Sequence, residues 1–447
     1  MSTTAATTAT EQGLVRAMGT RALTAGIINV IIGGGIFALP AAVALGVGSA
    51  APLAYLVCAV AMGLIVLCFA EAGSRVSLTG GPYAYAEVAF GPYVGFLCGV
   101  LLWLTACFAT AAVSTVFSGT LARLVPALSG RVVEVVVLAL LFGSLAAVNV
   151  RGVGQASRLN EITTLGKLLP LGLFVVVGAF FVRPDYLALG PLPSAGTLGA
   201  TTLTLIFAFA GLEAALVPSG EVKDPPRTVP RALFAAIALV TVMYIAIQFV
   251  AQGILGQSLA DPAIGRAPLA TAAGRFMGSG GALLMLIGAA ISTFGYVSGM
   301  TLATPRALYA FGRDGFVPRA LGAVHPRFHT PHVAIVVQTV IAFLLAASGT
   351  FIQLVNLANI SVLLLYLTCC IAAWELRRRN VRAEGGIPFR VPGGGVIPWL
   401  AAAVIIGMLL SATQKEMLVV GLALGVATLV FFVTRSHRKT LKTAVAT

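Results

Sequence analysis

A chain of 447 residues, 59% hydrophobic and 9% charged, with a mean hydropathy of +1.00, is not built for water. Soluble globular proteins carry about 25% charged residues. The formal charge of +14 would suggest nucleic acid in a soluble chain, but the basic residues sit asymmetrically about the apolar runs, which is the mark of membrane topology and gives no nucleic-acid partner.

The first dozen residues, Met1 to Gln12, are polar and Thr/Ala-rich and lack the basic segment and cleavage site of a secretory signal. The first span is therefore expected to be retained. Twelve apolar runs follow, at about 23–47, 50–73, 91–121, 131–150, 160–182, 199–219, 229–255, 280–311, 332–350, 352–376, 397–412 and 416–435. They predict an all-α integral membrane protein with 12 transmembrane helices, one polytopic domain over 1–447, and the lipid bilayer as its surroundings. With an even number of spans both termini share a side. That side holds 21 of the 28 Lys and Arg, six lie opposite, and Lys167 falls inside a span. The positive-inside rule then predicts cytoplasmic N- and C-termini in the cell membrane. The six cysteines all fall within apolar runs, so no structural disulfide is expected.

The first run contains Gly33-Gly34-Gly35 followed by Pro40, at a depth where a spanning helix should be most regular. Each glycine costs about 1 kcal/mol relative to alanine inside a helix, and an interrupted backbone in lipid leaves polar groups unsatisfied. Two readings follow: a close helix–helix contact, or an unwound helix whose free amides bind a ligand. The fifth run carries Asn160-Glu161 and, about seven residues from its cytoplasmic end, Lys167, whose amine either snorkels to the interface or works at depth. The sixth run repeats the anomaly of the first, with Phe207-Ala208-Phe209-Ala210-Gly211-Leu212-Glu213 and then Pro218. A carboxylate at membrane depth is a functional-site candidate. Spans 1 and 6 open two successive five-span halves, and interrupted helices at corresponding positions of two halves point to a transporter's substrate site.

Several stretches in chain order resemble the amino acid–polyamine–organocation (APC) superfamily of secondary transporters. These are Gly33-Gly34-Gly35-Ile36-Phe37; Glu71 to Arg75 with Gly80-Gly81-Pro82-Tyr83; the span 6 stretch leading to Gly220-Glu221; Arg306 to Asp314 with His325-Pro326-Arg327; and Phe389-Arg390-Val391-Pro392-Gly393. The resemblance implies a LeuT-type fold: a 5+5 inverted repeat with discontinuous helices 1 and 6. The first repeat would cover about 23–182, the second about 199–376, and two extra helices about 397–435. It also implies an amino acid substrate, bound as a zwitterion.

Its site residues carry over by position. Gly33, Gly34 and Gly35 would hold the substrate carboxylate on their amides; serine is common in the family where this chain has Gly34. Ile31, Phe207, Ala208 and Ala210, with Gly211 at the break, would turn carbonyls toward the ammonium. Phe207 matches an aromatic gate, and Thr105, Ala106 and Thr110 of span 3 match pocket-lining positions, though helix packing accounts for those three equally well. Glu213 is a substrate counter-ion or, the preferred reading, a structural partner for the break. Lys167 stands where proton-linked, sodium-independent members hold a lysine, touching a span 1 carbonyl and a span 8 hydroxyl such as Ser292.

Spans 3, 8 and 10 offer no carboxylate at mid-membrane depth, and Glu375 sits at a cytoplasmic end. A small or apolar neutral amino acid is therefore favoured over a cationic amino acid or polyamine, with H+ as coupling ion by symport, or with exchange. His325, His329 and His332 are accounted for largely by the family loop, and neither metal nor cofactor is expected. Glu71, Glu213 and Lys167 form no enzyme motif. A non-transporting amino-acid sensor would keep the same site, and the oligomeric state stays open.

Overall fold

The computed structural model describes residues 18–434 apart from 79, 152–153, 218, 220–221, 266, 314, 329 and 384–386, and gives the backbone alone for 154–165 and 313. Glu221, Asp314 and His329, and the side chains of Asn160 and Glu161, lie outside the described residues. Among those described, the chain is helical, with one isolated bridge between Met18 and Val222.

The helices stand where the apolar runs predict them. The first run is split into α1 (Thr20–Ile31) and α2 (Gly35–Val47), followed by α3 (Ala51–Arg75). A short α4 (Pro82–Phe90) fills what the sequence reads as a loop, and α5 (Pro92–Leu124), α6 (Arg131–Arg151) and α7 (Gly154–Gly178) complete the first half. The sixth run is split into α8 (Ala195–Phe209) and the single turn α9 (Leu212–Ala215). Then come α10 (Pro225–Leu255), α11 (Pro268–Ala303), α12 (Pro305–Arg313), α13 (His332–Ser348), α14 (Phe351–Arg378), α15 (Val396–Leu409) and α16 (Gln414–Val433). Five of these begin on proline, whose fixed φ and missing N–H suit a first helical position. Helices α14 and α16 begin on capping boxes, Thr350 with Gln353 and Thr413 with Glu416.

One boundary moves well beyond expectation. Helix α11 starts at Pro268 rather than near 280, and Gly278 (φ 65°, ψ −161°) kinks it at that point. The glycine-rich kink breaks the apolar periodicity, which is why the sequence reading starts the span after it.

Eight helical stretches among the described residues are long and apolar enough to cross a membrane, and four shorter apolar helices accompany them: Thr20–Ile31, Gly166–Phe181, His332–Ser348 and Val396–Leu409. Large apolar side chains such as Val132, Phe180, Leu410 and Val433 face outward. That is the surface a lipid-embedded protein needs, because hydrocarbon imposes no penalty on it. The core holds α1, α2, α3, α8, α10 and α14, and both interrupted helices lie inside it.

Candidate functional site

Residues 31–40 are all buried, so the triple glycine sits at the centre of the molecule. Helix α1 stops at Ile31 and α2 restarts at Gly35, leaving a short segment whose carbonyls need partners. Side chains of three other helices supply them. Lys167 of α7, 4% exposed, donates from Nζ to the Asn29 carbonyl at 2.6 Å. Tyr244 of α10 donates to the Ile31 carbonyl at 3.1 Å, which also accepts from the Gly33 N–H at 2.8 Å. Ser292 of α11 donates to the Gly33 carbonyl at 3.3 Å. A buried carbonyl left without a donor costs about 1–3 kcal/mol, so these side-chain donors help to make the break tolerable. Lys167 takes a span 1 carbonyl, that of Asn29, while the Ser292 hydroxyl donates to the Gly33 carbonyl four residues on.

The glycines also make room. A Cβ on Gly34 would lie 2.8 Å from Thr293 Cγ2 and 3.0 Å from Val113 Cγ1. One on Gly35 would lie 3.1 Å from the Phe207 ring, and one on Gly33 3.1 Å from the Tyr296 ring. Close packing and chain interruption, set apart as alternatives by the sequence, occur here together. Where α2 begins, the Phe37 N–H is taken by the Gly34 carbonyl at 3.2 Å; the amides before it have no acceptor within the helix, and the helix dipole adds partial positive charge.

The second break is built differently. Helix α8 ends at Phe209, Ala210 is extended (φ −68°, ψ 155°), and Gly211 takes φ +121°, a region L side chains rarely adopt. The Gly211 N–H donates to both oxygens of Glu213, at 3.0 and 2.9 Å. Tyr366 of α14 donates to Glu213 Oε2 at 2.6 Å. The 3%-exposed carboxylate is therefore engaged by the backbone of its own break and by one phenol. The two breaks touch: a Cβ on Gly211 would lie 2.9 Å from Val30 Cγ1 and 3.2 Å from the Val30 carbonyl oxygen. Carbonyl-rich ends of α1 and α8 thus meet the amide-rich start of α2.

The remaining expected residues fall around this meeting point. Phe207 is buried against Gly35 and packs edge-on to Phe351, with ring centroids 6.1 Å apart. Ala208 is buried and Ala210 half-buried. On α5, Thr110 lies one turn before the Val113 that touches Gly34; its hydroxyl and that of Thr105 donate to their own helix, at Ala106 and Leu101. Ala106 is half-buried on the same helix. None of the break residues lines the cavity of about 810 Å³ where α2 and α10 end and α11 begins.

Sequence reasoning missed Tyr244, Tyr296, Thr293, Val113 and Tyr366. A signal existed for the two tyrosines that brace the breaks: a phenol inside an apolar run must find a partner for its hydroxyl.

Discontinuous helices meeting at the centre of an all-helical, outwardly apolar molecule define the class, a multi-pass membrane protein with secondary-transporter architecture. Residues 18–442 match the family described as Amino acid permease, and the chain belongs to that family, within the APC superfamily. It is 29% identical to the methylthioribose transporter of Bacillus subtilis (strain 168) over 92% of this chain and 91% of that protein. It is 30% identical to the serine/threonine exchanger SteT of the same organism, over 79% and 81%. Against the branched-chain amino acid permease BcaP of that organism the figures are 27% identity over 97% and 96%. These relatives are named as a transporter, an exchanger and a permease.

Proposed function

We propose that this permease carries small or apolar neutral amino acids across the cytoplasmic membrane without sodium, by proton symport or exchange. The observation that carries the reading is the contact between the two breaks. A zwitterion needs an anion site and a cation site out of water, and the amides that begin α2 and the carbonyls that end α1 and α8 supply both. We take the fold to be twelve spans in a 5+5 inverted repeat with cytoplasmic termini; the discontinuous first and sixth runs and the charge asymmetry support this.

Within that reading Gly34 and Gly35 hold the carboxylate, joined by Gly33 if its N–H leaves the Ile31 carbonyl; Ala208 and Ala210 turn carbonyls to the ammonium at the Gly211 break, whose own carbonyl already accepts from the Ala214 and Ala215 N–H groups at 3.1 and 3.2 Å. Ile31 already receives two donors, so the ammonium would share or displace one of them. Phe207 closes over the site from beside Gly35. Thr105, Ala106 and Thr110 border the side-chain pocket. Lys167 acts as proton carrier or fixed cation, supported by its hydrogen bond to a carbonyl of the first break, and Ser292 braces the Gly33 carbonyl. Glu213 is a structural partner, supported by its two bonds to Gly211 and one to Tyr366.

A neutral side chain is favoured because Glu213 is already engaged and α5 carries no carboxylate. An unpaired ammonium or guanidinium in this core would be desolvated at a cost of several kcal/mol. The relatives named for serine/threonine and branched-chain amino acids agree with a neutral substrate. The methylthioribose relative brings a sugar-like competitor into the test. Purified protein in liposomes is offered labelled neutral amino acids, lysine, a polyamine and methylthioribose, with and without Na+ and a pH gradient. Saturable uptake of a neutral amino acid in the absence of Na+ is expected. A sodium requirement, preference for lysine or the polyamine, or binding without uptake would refute the proposal, the last in favour of a sensor.

A further inference from the structure

Where α14 ends, the chain gathers more positive charge than its own acids neutralise. Arg377, Arg378, Arg379, Arg382 and Arg390 fall within fourteen residues of sequence, beside the Arg75 that ends α3. Two carboxylates answer them. Glu375 binds Arg378 and Arg379, at 2.8 and 2.6 Å. Glu71, 1% exposed, binds Arg75 at 2.7 Å and Arg377 at 3.1 Å, and accepts the Val391 N–H at 3.0 Å. Arg75 also donates to the Val381 carbonyl and Arg377 to the Val391 carbonyl. Four of these six arginines pair with the two carboxylates, Arg382 donates to the Asn380 side chain at 3.3 Å, and with Glu384 counted the sequence of this corner carries a surplus of three positive charges.

Several features make this more than a solvated basic face. Arg377 Nη1 is buried and has no hydrogen-bond partner among the described residues. The connector carrying Arg390 is bolted to α3 through Glu71, so the charges are held on a fixed frame. Interfacial aromatics flank the cluster: Trp374 and Trp399 pack edge-on at 5.6 Å, Arg378 lies 5.4 Å over the Trp374 ring, and Trp399 is 51% exposed. Tryptophan at that depth marks the headgroup level of a bilayer, and clustered arginines immediately cytoplasmic of a spanning helix attract anionic lipid.

We propose that this corner binds the phosphate headgroup of an anionic phospholipid, drawn from the bilayer rather than from free phosphate in solution. It rests on the orientation argued above, with the end of α14 at the cytoplasmic interface. Positive-inside topology alone accounts for the number of basic residues on that side but not for a fixed, aromatic-flanked cluster with a buried donor that none of the described residues answers.

Retained lipid on the purified full-length protein is measured by native mass spectrometry after exposure to equal phosphatidylglycerol and phosphatidylcholine. This readout does not involve uptake, so a failed transport reading leaves it intact and the reverse also holds. The wild type is expected to retain phosphatidylglycerol selectively. The single variants Arg382→Gln and Arg390→Gln should each lower that affinity about fivefold, and R378Q/R382Q/R390Q about a hundredfold, from roughly 1 kcal/mol per arginine. These three side chains are exposed, so melting temperatures should stay at the wild-type value. The control K223Q/R319Q/R327Q, which removes equal charge from exposed positions, should retain the lipid. Equal loss in the control, undiminished retention in both singles and the triple, or full displacement by millimolar inorganic phosphate would each overturn the proposal.

Discussion

The two interruptions at the centre of this permease solve one problem in opposite ways. The first is braced from outside, its carbonyls held by Lys167, Tyr244 and Ser292 on three different helices. The second is braced from within, its Gly211 amide held by a carboxylate two residues on, which Tyr366 steadies. A break fixed by its neighbours moves when they move, whereas a break capped by its own chain keeps its shape. In the mechanism proposed above, the first is the place where a cation or proton on α7 would alter the site, and the second the more rigid wall.

The contrast can be broken most severely at Glu213. In Glu213→Ala the Gly211 amide and the Tyr366 hydroxyl lose their acceptor, at about 1–3 kcal/mol each, so thermal stability and uptake should fall together; Glu213→Gln should retain part of both. A variant with normal melting temperature would show that the second break holds without its cap. Next in size is Lys167→Ala, which removes the side-chain donor to the Asn29 carbonyl. It should lower stability by about 1–3 kcal/mol while abolishing the pH dependence of uptake, and intact pH-dependent uptake would remove the functional difference drawn between the breaks.

Smaller effects sharpen the picture of the glycines. Gly34→Ala places a methyl against Thr293 and Val113, at a cost of about 1–3 kcal/mol from overpacking. Thr293→Ser, which deletes the opposing methyl, should recover part of that loss in a double-mutant cycle; strict additivity would mean the two positions do not meet. The smallest effect belongs to Ser292→Ala, whose bond to Gly33 is long at 3.3 Å. About 1 kcal/mol or less is expected in a chemical melt.

The positions of the breaks were legible because glycine, proline and a carboxylate contradict a spanning helix locally. Lys167 was legible for the same reason, as a charge in an apolar run. The braces were not. Tyr244 meets Ile31 across 213 residues and Tyr366 meets Glu213 across 153, and no local pattern encodes such pairings. Nor could sequence show that the glycines serve packing and interruption together, since that depends on Thr293, Val113, Phe207 and Tyr296 arriving from other helices. Helix α4 is hidden in the sequence because Gly80-Gly81-Pro82 suits a turn and a helix start alike, with proline at the first helical position.

The central claim is that a neutral amino acid binds where the two breaks meet. The direct test is the ligand-induced rise in melting temperature of the purified protein, with the transported amino acid at a hundred times its Kd, where binding contributes about 2.7 kcal/mol. The account predicts a clear upward shift in the wild type and none in Gly35→Val, whose side chain would occupy the space between α2 and Phe207. An equal shift in both proteins would place the substrate elsewhere and contradict it.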